Sequence, residues 1–196
     1  MRSGAVRRAL LVATATIVAT IALAACGGGS GSGGTTTVVP DKSGDAETLN
    51  RVLARELAAI RAYEDTMPLL HGRALASAEE FRAQEQEHVN AILKALRGLG
   101  EAAEPADEEI ESEGIQTQAD ALGFLYEIES VSVARDLRAL SHVSAAWPRV
   151  LLSSIAANQA QHLVLLRRAL GADVAESVPE AFEDGTTPAP SAKMPE

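Results

Sequence analysis

Residues 81–96, FRAQEQEHVNAILKAL, lay over residues 155–170, IAANQAQHLVLLRRAL, at a shift of 74 positions. The overlay pairs Phe81 with Ile155, Glu85 with Gln159, His88 with His162, Ile92 with Leu166 and Leu96 with Leu170. At a shift of 73, Glu56 meets Glu129. No other feature constrains the fold as much, because each copy is an apolar stripe at helical spacing that must be buried against something else. Each stripe also carries polar residues on the face to be buried.

Four stretches have helical period, and none has a convincing alternation of period two. The first spans about 48–67, with a seam of Leu49, Leu53, Glu56, Ile60, Tyr63 and Met67; Pro68 and the Gly72 region break it. The second spans about 75–97, with Ala78, Phe81, Glu85, His88, Ile92 and Leu96 on its seam, and stops at Gly98 and Gly100. The third opens after Gly114 with Thr117 as N-cap and Asp120 three residues on. Leu122, Leu125, Tyr126, Glu129, Val133 and Leu140 line one side of it. The fourth starts near Pro148 and runs to Leu170, along Leu152, Ile155, Gln159, His162, Leu166 and Ala169.

Short loops make helices 1 and 2 antiparallel neighbours, and likewise 3 and 4. Residues 101–114, EAAEPADEEIESEG, separate the two hairpins. Fourteen extended residues reach roughly 46 Å at about 3.3 Å each, enough to run back along a bundle roughly 30 Å long. The expected fold is therefore all-α: a four-helix bundle of two pseudo-repeated hairpins joined by a long crossover.

Every helix interrupts its apolar stripe at matching depth. Burying a lone carboxylate opposes folding strongly, so these groups need a common partner, and a divalent cation is one. Glu and His three residues apart point from one helical face. The candidate metal ligands are Glu56, Glu85, His88, Glu129, Gln159 and His162. Oxygen and imidazole donors suit iron or manganese, and the lack of thiolates argues against structural zinc. Leu125 and Val133, four residues to either side, select Glu129 over its neighbour Glu127. Tyr63 and Tyr126 lie within one or two turns of the glutamates, either to hydrogen-bond a ligand or simply to pack. His71 and His142 read as surface residues near helix ends, and Trp147 with Pro148 as a plug for one end of the bundle.

Through LNRVLARELAAIRAYE, FRAQEQEHVNAIL, FLYEIESVSVARDL and SSIAANQAQHLVLLRRALG the chain resembles the ferritin-like superfamily, in particular small exported bacterial ferritin-like proteins, over about residues 47–171. The resemblance implies a carboxylate-bridged pair of metal ions and redox work with oxygen or peroxide, such as ferrous oxidation. The family pattern has Glu-x-x-His in both hairpins, whereas this chain has Gln159 in the second. A neutral amide cannot bridge or neutralise metal charge as a carboxylate does. The resemblance thus leaves open a weakened second ion, a mononuclear site or lost chemistry, and Gln159 itself is a weak oxygen ligand or a core amide.

The chain ends set the surroundings. Residues 1–26 have a basic start at Arg2, Arg7 and Arg8, an apolar run over 9–22, and LAAC ending at Cys26. This reads as a lipoprotein export signal whose Cys26 is acylated, anchoring the chain to the outer face of the bacterial cell membrane, or to the periplasmic or outer-membrane face in a two-membrane cell. An uncleaved anchor is the competing reading, though the run is short for a span. Residues 27–46 read as a Gly/Ser/Thr-rich tether, 47–175 as the bundle domain and 176–196 as a disordered tail. Cys26 is the sole cysteine, so the mature chain has no disulfide. Loss of the three signal arginines takes the net charge from −10 to −13, a surface that phosphate backbones repel, and nucleic acid is not an expected partner.

Overall fold

The computed structural model describes residues 39–110 and 112–191. The stretch read as an export signal, Cys26 and most of the stretch read as a tether lie outside the described residues, as do the last five positions. The described chain forms four helices, α1 (Lys42–Thr66), α2 (Gly72–Leu99), α3 (Gln118–Ala139) and α4 (Ala146–Ala169). A single 3₁₀ turn, Met67–Leu69, joins the first pair, with Pro68 inside it. Among the described residues there is no strand, and no helix long and apolar enough to cross a membrane.

Helices α1 and α2 form one hairpin and α3 and α4 the other; α1 also packs on α3, and α2 on α4. The path of the crossover is marked by its hydrogen bonds. Near its start Glu104 donates its backbone N–H to Asn50 Oδ1 (2.8 Å), and further on Arg61 donates to the Glu108 carbonyl (2.7 Å). At the far end the His71 N–H reaches Gln118 Oε1 (2.9 Å). The segment thus runs back along α1, so α3 starts beside the end of α1, as a ferritin-like arrangement requires.

Local chemistry sets the helix ends. Gly100 takes φ +80°, the left-handed conformation that lets its N–H and that of Glu101 turn back to Arg97 and Leu96. Thr117 and Asp120 form a reciprocal capping box at the start of α3. Helix α1 begins six residues before the expected position, inside the stretch read as tether. Asp41 caps it by accepting from Gly44 N–H, and the buried Asp45 accepts from the backbone N–H groups of Ser144 and Ala145, which open α4. That partner lies 100 residues away, so no local pattern reveals it.

The stretch read from the sequence as a disordered tail has neither helix nor strand over its described residues, yet it makes specific contacts with the bundle. Residues 178–189 run from α4, where Arg167 donates to the Val178 carbonyl, onto the outside of α3. Ser130 donates to Glu183 (2.8 Å), Arg138 to the Asp184 carbonyl (2.9 Å), and Gly185, at φ +80°, sits so close that a Cβ there would come within 3.2 Å of Val131 Cα. Small residues on α3 admit the strap, and Pro and Glu content concealed it. Trp147 likewise does not plug the bundle end, since it is 45% exposed while Pro148 is buried.

The apolar interior forms two clusters. One holds Leu49, Leu53, Ile92, Leu96, Leu152 and Ile155. The other holds Tyr63, Phe81, Leu122, Leu125, Leu163 and Leu166. Between their positions along all four helices comes a layer of buried polar residues.

Candidate metal centre

The layer contains Glu56 from α1, Glu85 and His88 from α2, Glu129 from α3, and Gln159 and His162 from α4. All are buried except His88, whose side chain is 13% exposed. The structure therefore brings together all six candidate ligands named from the sequence. They form two groups that share Glu85: Glu56, Glu85 and His88, and Glu85, Glu129 and His162. Within each group one donor atom per residue lies within 4.8 Å of the others.

In the first group His88 Nδ1 is 3.0 Å from Glu56 Oε2 and 3.3 Å from Glu85 Oε2. In the second, His162 Nδ1 is 3.0 Å from Glu129 Oε1 and 3.4 Å from Glu85 Oε1. The opposite ring nitrogen of His162 meets Gln84 Oε1 at 2.8 Å. Gln84 is oriented by its own amide N–H to Glu80 and by the amide of Asn158, which donates to the same Oε1. His162 Nε2 therefore carries hydrogen, and in the neutral ring Nδ1 offers its lone pair to the centre. Phe81 stacks on the imidazole at 4.1 Å, and Tyr63 closes edge-on against Phe81.

The two tyrosines divide. Tyr63 donates its hydroxyl to Glu129 Oε1 at 2.5 Å. The Tyr126 hydroxyl is buried without a hydrogen-bond partner, and its ring packs 5.9 Å from the Arg167 guanidinium, so it does not reach the glutamates. Gln159 donates its amide to Glu56 Oε1 at 3.1 Å.

Crowding shifts the titrations. Burial, then the Glu85 charge, raises Glu56 well above the usual carboxylate range, and the same two causes raise Glu129. Burial alone would raise Glu85 too, but hydrogen bonds from Glu56, His162 and His88 outweigh it and hold Glu85 ionised. Burial would lower His162, yet its bonds to Glu129 and Glu85 push it up to about 9. Tyr63 is raised by burial and by Glu129, so it stays a donor.

These residues fit a cation. Glu129 Oε2 and Gln159 Oε1 are buried acceptors with no hydrogen-bond donor, and Glu85 Oε1 meets only His162 Nδ1, at 3.4 Å. An orphaned buried acceptor destabilises a fold by about 1–3 kcal/mol, and two in a layer of three buried carboxylates would be costly unless a positive charge sits among them. The donors are hard oxygens plus imidazole, the set preferred by iron or manganese.

Sequence reasoning missed one neighbour. Asp136 is fully buried and accepts from Arg55 Nη2 at 2.9 Å; burial outweighs Arg55 and pushes its carboxyl up to about 6. It lies two turns beyond Glu129 on the same helix face. At the 73-residue shift it corresponds to Tyr63, a signal that was present in the repeat.

The family described as "Ferritin-like domain" matches residues 44–172. No curated protein matches the chain. Among solved structures, a conserved hypothetical protein of Mycobacterium tuberculosis superposes with a TM-score of 0.60 at 20% identity, covering 65% of this chain and 97% of its own. A protein of Bacillus anthracis described as ferritin-like and diiron-carboxylate superposes at 0.57 with 21% identity, covering 67% of this chain and 98% of its own. At such identities the likeness establishes the fold.

Proposed function

The chain belongs to the ferritin-like domain family, and from that premise we propose that it is a membrane-tethered, extracytoplasmic protein that binds iron or manganese in its bundle core. The observation that carries the reading is the pair of buried three-residue donor groups that share Glu85, with the Glu129 Oε2 and Gln159 Oε1 oxygens beside them lacking any hydrogen-bond donor. Glu56, Glu85 and His88 would hold one ion, and Glu85, Glu129 and His162 a second, with Glu85 common to both. The ions would supply electron transfer to oxygen or peroxide, as in ferrous oxidation.

The chain's own residues prepare that chemistry. Gln84 and Phe81 hold the His162 ring in register, and Tyr63 orients the Glu129 carboxylate. A bound cation displaces the proton of His162 and favours the ionised forms of Glu56 and Glu129, whose titrations burial raises, so loading releases protons. Two apolar clusters flank the layer and exclude water from it. The lipid on Cys26 would keep the domain at the outer face of the cell membrane.

Gln159 supports a second reading, a non-catalytic envelope module with a degenerate site. Its amide occupies Glu56 Oε1, an oxygen that a cation would otherwise take. The discriminating experiment compares ferrous oxidation under air by the full chain and by Glu85→Ala. The enzyme reading predicts turnover above the uncatalysed rate that vanishes in the variant; metal binding without turnover selects the module.

A further inference from the structure

Toward the end of the bundle where α1 begins, α1 and α3 face each other across a groove of about 370 Å³. Thr48, Arg51 and Arg55 line it from α1, and Arg135, Arg138, Ala139 and His142 from α3. The lining holds four arginines and no carboxylate, although acidic residues outnumber basic ones 27 to 17 in the chain. Adjacent helices ordinarily set opposite charges against each other, since like charges repel across such a gap.

We propose that this groove binds an oxyanion of phosphate chemistry, either free phosphate or a phospholipid headgroup. Guanidinium forks match phosphate oxygens in bidentate geometry. Each fork here is anchored from its flank. Arg55 is gripped by Asp136 at 2.9 Å and also donates to the Arg51 carbonyl (3.2 Å). Arg51 pairs with Glu47 at 2.5 Å and donates to Thr48 Oγ1 at 3.0 Å. Arg135 pairs with Glu108 of the crossover, and Arg138 donates to the Asp184 carbonyl of the strap at 2.9 Å.

The carboxylates of Glu47, Glu108 and Asp136 thus fix the arginines without themselves lining the groove. Arg135 and Arg138 each commit a single guanidinium nitrogen to the protein, which leaves donors for a ligand. The site does not depend on the metal reading. The headgroup source rests on the proposed lipid at Cys26: Asp41, which caps α1, follows it by fifteen positions, a reach of up to roughly 50 Å.

The test is calorimetric titration of the full chain in an uncharged detergent, stripped with chelator so that no metal carries the anion. Inorganic phosphate and a short-chain phosphatidylglycerol are titrated separately at constant ionic strength, with chloride as reference. Saturable binding of one phosphate group per chain is expected, weakened at least tenfold in Arg135→Gln and Arg138→Gln and unchanged in Arg82→Gln. Tighter binding of inorganic phosphate identifies the free ion, and tighter binding of the phospholipid a headgroup. Phosphate heats no different from chloride, or equal affinity in the Arg135 and Arg138 variants, overturn the proposal. Both arginines are exposed, so their variants are expected to fold, and a thermal melt of each without phosphate checks this.

Discussion

The Glu85, Glu129 and His162 side of the polar layer is closed on every face, whereas the Glu56, Glu85 and His88 side leaves His88 13% exposed. On the closed side, Gln84 orients the imidazole, Phe81 stacks on it, and Tyr63 holds Glu129. On the open side, Glu56 already accepts the Gln159 amide, and among the described residues no aromatic ring stacks on the His88 imidazole. The repeat in the sequence decides which residue types face the centre. Tertiary neighbours decide how firmly each one is held, and preorganised ligands bind more tightly. The closed side should therefore hold its ion more firmly.

Removing the shared carboxylate gives the largest expected effect. Glu85→Ala should abolish retention of metal on both sides, whereas His162→Ala should lose the firmly held ion and His88→Ala keep it. Metal analysis of the three variants after desalting decides this. If His88→Ala loses the retained ion and His162→Ala keeps it, the ranking of the two sides is wrong.

Gln159→Glu would make the two hairpins alike. It removes the amide that occupies Glu56 Oε1 and adds a fourth carboxylate, so retained metal should rise toward two ions per chain. Unchanged content in that variant would place residue 159 outside the coordination sphere.

A smaller effect appears in the metal-free protein. The folded His162 keeps its proton to about pH 9, against 6.5 ordinarily. Its contribution to stability is therefore fully present below about pH 6.5 and is lost as pH rises through about 9. At about 1.36 kcal/mol per pKa unit, the loss is on the order of 3 kcal/mol. The raised carboxyls of Glu56 and Glu129 act in the same direction, because the folded state binds more protons than the unfolded one. Denaturant melts should show falling stability across that window without metal and a flatter profile with metal, since cations replace the protons. A flat profile without metal contradicts the assignment of protons to the closed side.

Much of this was legible in the chain. Helix period, the Thr117–Asp120 cap and the length of residues 101–114 are local signals, and local physics determines the features they encode. The start of α1 was not legible, because Asp45 is explained by the N–H groups at 144 and 145. The strap was hidden because its anchors, Ser130 and the surface around Gly185, are small residues that register only when the two segments meet. Asp136 sits between these cases: its helix face and its pairing with Tyr63 in the repeat were readable, but its partner Arg55 lies on another helix.

The most direct test of the central claim is the metal content of the unaltered chain after anaerobic loading with Fe(II) or Mn(II) and desalting. The account predicts about one ion retained per chain, with a second bound only while free metal is present. A chain that retains none under either metal would contradict a metal centre in the polar layer.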